Sequence, residues 1–363
     1  MLIGVVPLLA LEALGSKEAV TRAYLLASIL TLLITLNFAT LERLLQRRWV
    51  VTLGGCFTMS CALILIFGDG AEIAVAIGLQ SAAASLFSVC LSLYIMDYIG
   101  KKDLVYAESR RLFYTGIAWI IGPSLGIWLW NEVLPWSVFA LAMLSSVSML
   151  AFFWYLRLGN SSVISKAKKS SVNPLRVIPR YFSQPALRIA YMITLSRSTF
   201  WMTLFIYGPI YVIDAGLPPW VAGGLLSFTS GLLLSSPLIR RLAARVGTRS
   251  VIVAAFIICG CSMLMLFVTG EARPLGLIYW VFAAIGGAMV DVLGNIPFMR
   301  MVKAHERTEM TMIFSTWREA SQILTPLLAS LVLWVTVIEV FYLLLALMLF
   351  SAAVAASYLP RRL

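Results

Sequence analysis

Four charged residues fall inside long apolar runs: Arg197, Asp291, Arg318 and Glu319. A charge in a hydrocarbon interior is costly and is tolerated where it faces a cavity or an opposite charge. A carboxylate so placed can take and release a proton, and a guanidinium beside it can bind a solute or tune the acid's pKa. Helical rise puts Asp291 about 12 Å, Arg318 about 14 Å and Arg197 about 18 Å from the nearest helix end. The similar depths of Asp291 and Arg318 allow a pair between their two helices. Asn295 follows Asp291 by four residues and Gln322 follows Arg318 by four, so each shares a face with its charge. Trp201 follows Arg197 by the same spacing, and a Trp beside an Arg suits a flat or amphipathic organic substrate. The alternative to a solute and proton pathway is a static, neutralised pair that joins two helices.

The elements that must carry these residues follow from composition. The chain is 61% hydrophobic and 12% charged over 363 residues, with a mean hydropathy of +0.94. Soluble domains are nearer a quarter charged, so this is an all-α polytopic membrane protein. Complete spans are expected at 20–42, 49–67, 71–97, 112–130, 135–157, 185–213, 220–240, 250–269, 275–298, 309–335 and 337–358. Residues 1–14 are too short to cross and read as the outer end of a first helix whose beginning is missing. The stretch 159–184 is polar and basic, and Pro174 and Pro179 argue against a continuous helix through it; it reads as a cytoplasmic linker. The domains are then an N-terminal bundle (1–158), the linker (159–184) and a C-terminal bundle (185–363).

Of the 28 Lys and Arg, 23 lie in alternate hinges, the linker and the C-terminus. The positive-inside rule places those segments in the cytoplasm. The net charge of +12 is thus a topology signal and not a nucleic-acid stripe. The five cysteines lie in apolar runs without disulfide or metal spacing, and His305, the only histidine, sits in a basic hinge. No phosphate loop or His-Glu-x-x-His occurs, which argues against an ATP-driven pump and a membrane enzyme.

The two halves repeat. The hinge Leu41-Glu-Arg-Leu-Leu-Gln-Arg-Arg-Trp49 has its counterpart in Ile239-Arg-Arg-Leu-Ala-Ala-Arg-Val-Gly-Thr-Arg249, with Arg48 and Arg249 separated by 201 residues. Pro123 and Pro326 are separated by 203. Six plus six helices, a basic central loop and paired basic hinges resemble the major facilitator superfamily. Its best single piece is Arg241 to Arg249, with Arg245, Gly247 and Arg249 similar to the family's Asp-Arg-x-Gly-Arg-Arg loop. Ala244 stands in place of the Asp, and Gln46 replaces the glycine in the first copy. The run Gly116 to Gly126, with Gly122 and Pro123, resembles the family's antiporter motif, although Ala118 and Ile127 replace glycines.

Gly122, Pro123, Gly126, Gly208 and Pro209 are candidate bends or close-packing points. The resemblance implies a secondary transporter in the cytoplasmic (inner) membrane, working by alternating access on a small organic solute. Proton-coupled efflux is the narrower expectation. An uptake carrier or a transport-inactive scaffold or sensor are the alternatives. No metal or other cofactor and no nucleic acid is implied, and the expected state is a monomer in the lipid bilayer.

Overall fold

The computed structural model describes residues 17–156 and 174–360, with Val5, Val6, Leu9, Ala10 and Ala13. The rest of the 1–14 fragment and the first part of the linker lie outside the described residues. So do the side chains of Pro123 and Ile127. Regular structure among the described residues is helical throughout.

Helices α1 (Lys17–Leu36), α2 (Phe38–Phe67), α3 (Glu72–Tyr98), α4 (Leu104–Trp128) and α5 (Pro135–Tyr155) precede the linker. After it come α7 (Pro185–Asp214), α8 (Pro219–Gly231), α9 (Ser236–Val246), α10 (Thr248–Thr269), α11 (Gly276–Leu293) and α12 (Ile296–Met301). The chain closes with α13 (Arg307–Ser315), α14 (Trp317–Val335) and α15 (Ile338–Ser357). Among the described residues eight helical stretches are long and apolar enough to cross a membrane, two of them, Val221–Val246 and Gly276–Met301, running through consecutive helices. Several expected single spans are broken in the middle. The tenth parts at Gly294–Asn295 because Pro297 has no N–H to give to the Leu293 carbonyl.

One expectation needs correction. Helix α4 begins at Leu104, eight residues before the expected 112, and Glu108 and Arg111 pair along its added turns. Within the linker a short helix, α6, runs Pro174–Phe182. Pro174 opens it, where a missing N–H costs nothing. Its Val177 and Tyr181 are buried, and the Tyr181 hydroxyl donates to the Leu187 carbonyl at 3.0 Å.

The chain forms two compact units that do not follow chain order. Unit one joins Met1–Ile99 and Trp119–Arg180 with Lys303–Glu319; unit two joins Gly100–Ala118 with Tyr181–Val302 and Ala320–Leu363. Each unit therefore includes one short piece from the far side of the linker.

The sequence repeat is also a backbone repeat. Gly247, between α9 and α10, has φ 94° and ψ 141°. Gln46, 201 residues earlier, has φ 61° and ψ 150° inside α2, and is the one non-glycine at positive φ among the described residues. Only glycine adopts this region freely, and a residue with a Cβ there costs about 1–3 kcal/mol. The Gln46 side chain is exposed, so its removal sacrifices no packing. Gln46→Gly is expected to raise stability by about 1 kcal/mol after glycine's greater unfolded-state entropy is deducted. A thermal melt in detergent checks it, and an unchanged or lower melting temperature counts against strain at this hinge.

Candidate functional site

In unit two, α7 carries Arg197 and α11 carries Asp291. Arg197 Nε lies 3.3 Å from Asp291 Oδ1, with the two side chains 7% and 18% exposed. Glycines allow the approach. A Cβ at Gly287, one turn before Asp291, would stand 2.6 Å from the Phe200 ring and 3.3 Å from Trp201 Cζ2. A Cβ at Gly286 would meet Ala255 O at 2.7 Å and Cys259 Sγ at 2.6 Å on α10. The absent side chains thus let α11 sit close to both α7 and α10, as small residues do between membrane helices.

One polar atom near this pair is unspent: Asn295 Oδ1 is buried without a hydrogen-bond partner. The Trp201 indole N–H is directed at the Asp291 carboxylate, and its ring stacks on Phe205 with centroids 5.8 Å apart. An unmade buried hydrogen bond costs about 1–3 kcal/mol, so the free acceptor favours a polar guest. Helix α4 supplies a second cation. Arg111 is electrostatically coupled to Asp291 and forms a 2.6 Å ion pair with the fully buried Glu108. Two carboxylates and two guanidiniums thus neutralise one another.

Unit one holds a second neutral cluster. Asp97, at the end of α3, accepts from Arg47 Nη1 at 2.7 Å and from Arg307 Nη1 at 2.6 Å. Arg47 also donates from Nε to Glu42 at 2.7 Å, and its guanidinium lies 5.2 Å from the centre of the Tyr94 ring. The side chains of Arg47 and Asp97 are essentially inaccessible. Beside this cluster, Arg180 of α6 pairs with Glu309 at 2.8 Å and with Glu306.

The structure brings Arg197, Trp201 and Asp291 together, with Asn295 one turn on. Within unit two the partner of Asp291 is Arg197, whereas depth alone had suggested Arg318. Arg318 belongs to unit one, where Nη2 donates to Ser88 Oγ at 3.1 Å and the guanidinium lies over Trp317. Glu319 is buried in the same unit, its Oε2 without a partner. Gln322 is exposed in unit two.

Gly122 and Gly126 lie in the unbroken helix α4 and Pro209 lies inside α7. A Cβ on Gly208 would just touch Leu225 at 3.4 Å. Arg245 is exposed on the last turn of α9. Arg249 donates to the Leu359 carbonyl at 3.0 Å, beyond the end of α15. Sequence reasoning missed Glu108 and Arg111, although a Glu–Arg pair at i,i+3 is a helical signal. It also missed the partners of Asp97, since no local signal points to Arg47 or Arg307.

The family model described as Major Facilitator Superfamily matches residues 1–236 and 225–363. The chain belongs to this superfamily. Among solved structures, the superfamily member is similar to a bacterial homologue of the iron transporter ferroportin in an outward-facing state. The TM-score is 0.75 at 18% identity, covering 98% of this chain and 93% of the other. It is also similar to the E. coli fucose:proton symporter FucP, with TM-score 0.68, 14% identity and coverage of 99% and 97%. The proton:xylose symporter XylE gives TM-score 0.75, 12% identity and coverage of 99% and 91%. At these identities the likeness is one of fold. No curated protein matches the chain by sequence.

Within this transporter fold the Arg197–Asp291 pair is open to a direct energetic check. Asp291→Asn leaves a buried guanidinium without its counter-ion and is expected to cost about 3–5 kcal/mol. Adding Arg197→Gln should recover much of that loss. Unfolding of the wild type, both single variants and the double variant in one detergent measures the coupling. A double variant that falls by the sum of the singles would mean the two side chains do not act as a pair.

Proposed function

We propose that this superfamily member is a proton-coupled secondary carrier that exports a small organic solute by alternating access. It sits in the cytoplasmic membrane with linker and C-terminus in the cytoplasm. The observation that carries this reading is the buried Arg197–Asp291 pair, flanked by the unspent Asn295 Oδ1 and by the Trp201 indole directed at Asp291. Asp291 takes up a proton when Arg197 turns to the solute and releases it when the ion pair re-forms. Trp201 offers a flat face to the same guest. Arg111 and Glu108 hold the local charge balanced while this exchange occurs.

The halves 1–158 and 185–363 are the moving bodies, joined by the linker 159–184. Export is supported by the antiporter-like run in α4. There Gly116 packs tightly, since a Cβ would stand 2.9 Å from Leu233 Cβ. Uptake is the second reading, favoured by the two sugar carriers of like fold, which are symporters by name.

A thermal-shift screen of purified protein tests the proposal. Lipophilic cations, organic anions, amino acids and sugars are added at mildly acidic and mildly alkaline pH to wild type and Asp291→Asn. At least one compound is expected to raise the melting temperature in a pH-dependent manner that the variant loses. Proteoliposomes containing a pH-sensitive dye then report whether that compound and protons move in opposite or the same directions. A cooperative melt that no compound shifts would favour a non-transporting scaffold.

A further inference from the structure

Away from the ion-paired site, unit two contains a cavity of about 230 Å³ between α4 and the start of α9. It is lined by Tyr106, Ser109, Arg110, Phe113 and Tyr114 from α4 and by Pro237 and Arg240 from α9. No carboxylate lines it, and neither Arg110 nor Arg240 has an acidic partner within 4 Å among the described residues. The two guanidiniums instead flank one aromatic ring. Arg240 Cζ is 5.1 Å and Arg110 Cζ 5.6 Å from the Tyr106 centroid. Arg110 also donates to the hydroxyls of Tyr106, at 3.1 Å, and Tyr114, at 3.4 Å. Ser109 is 1% exposed, and its hydroxyl has no hydrogen-bond partner.

Two like charges oriented by tyrosines around a concave site, with no acid to neutralise them, form a receptor for a divalent or delocalised anion. Depth narrows the choice. Arg110 is six residues after Leu104, and Arg240 is six before Val246, so both lie about 9 Å from their helix ends. Such a level is close to the boundary between head groups and hydrocarbon, where tyrosines also concentrate. Tyr114 is largely exposed and Phe113 is half-buried, so an apolar wall adjoins the basic one.

We propose that this cavity binds the phosphate head group of an anionic phospholipid from the leaflet that faces the basic loops. Arg110 and Arg240 take the phosphate oxygens, and Phe113 and Tyr114 lie along the first part of an acyl chain. Basic pockets between membrane helices on the cytoplasmic side are suited to such head groups. Because the cavity joins α4 to α9, a bound lipid also bridges the piece Gly100–Ala118 to the rest of unit two.

Native mass spectrometry of the delipidated full chain tests the assignment with three probes: dioleoyl-phosphatidylglycerol, dioleoyl-phosphatidylcholine and inorganic phosphate. Phosphatidylglycerol should bind the wild type more tightly than either of the others. Arg110→Gln/Arg240→Gln should weaken it about tenfold or more, given the contribution of each arginine to anionic-lipid attraction. Arg241→Gln, which removes a neighbouring charge outside the cavity, should leave it unchanged. If the double variant does not fold, Arg240→Gln alone should still weaken binding about threefold.

The proposal is overturned if phosphatidylglycerol binds the cavity variants as tightly as the wild type, or if Arg241→Gln weakens it equally. It is also overturned if phosphatidylcholine matches it, or if inorganic phosphate displaces it at equal concentration. The last result would identify a soluble phosphoryl ligand.

Discussion

Asp97 is held between Arg47 and Arg307, and this double ion pair fixes how unit one is assembled. A carboxylate that is almost inaccessible needs compensation at short range, because burial of an isolated charge is prohibitive. One guanidinium comes from the hinge after the second expected span. The other comes from α13, far along the chain. Their presence, with Glu42, brings the group to neutrality, so the apolar helices around it can close without water. The short piece Lys303–Glu319 therefore belongs to unit one on electrostatic grounds as well as by packing.

Unit two follows the same rule with different residues. Here the piece drawn from the other side of the linker is the start of α4, and it contributes Glu108 and Arg111. They meet Arg197 and Asp291 in a group that is again neutral overall. The difference lies in how tightly each is satisfied. Asp97 receives two hydrogen bonds at 2.6–2.7 Å, whereas the Asp291 pair is longer, at 3.3 Å, and has the unspent Asn295 Oδ1 near it. The first carboxylate is the more tightly held.

Much of the architecture was legible because helical membrane spans are a length and hydropathy problem. The spans at 71–97, 135–157 and 250–269 fall within two residues of α3, α5 and α10. The hinge repeat was legible too, and the matching backbone at Gln46 and Gly247 gives it a structural basis. Arg197, Trp201 and Asp291 stood out because charge in an apolar run is rare. What the chain order hid were partners. Glu108 was passed over and Arg111 was counted with the hinge cations, since counting basic residues for topology does not distinguish a loop cation from one a helical turn inside. The partners of Asp97 lie 50 and 210 residues away, where no local signal points to them. Depth brought Asp291 and Arg318 to one level, but level does not fix helix rotation, and rotation turned Asp291 to Arg197. The short helix at the end of the linker was not legible, because the buried Tyr181 and the anchoring Arg180 act only in the folded chain.

The distance of 210 residues between Asp97 and Arg307 has a consequence for biogenesis. A ribosome adding about 5–20 residues per second makes Arg307 roughly 10–40 s after Asp97. In that interval Glu42, Arg47 and Asp97 carry one negative charge in excess, already within helices entering the bilayer. Until Arg307 is made, Asp97 has Arg47 but lacks its second guanidinium, so the double ion pair of unit one is completed only as the eleventh span arrives.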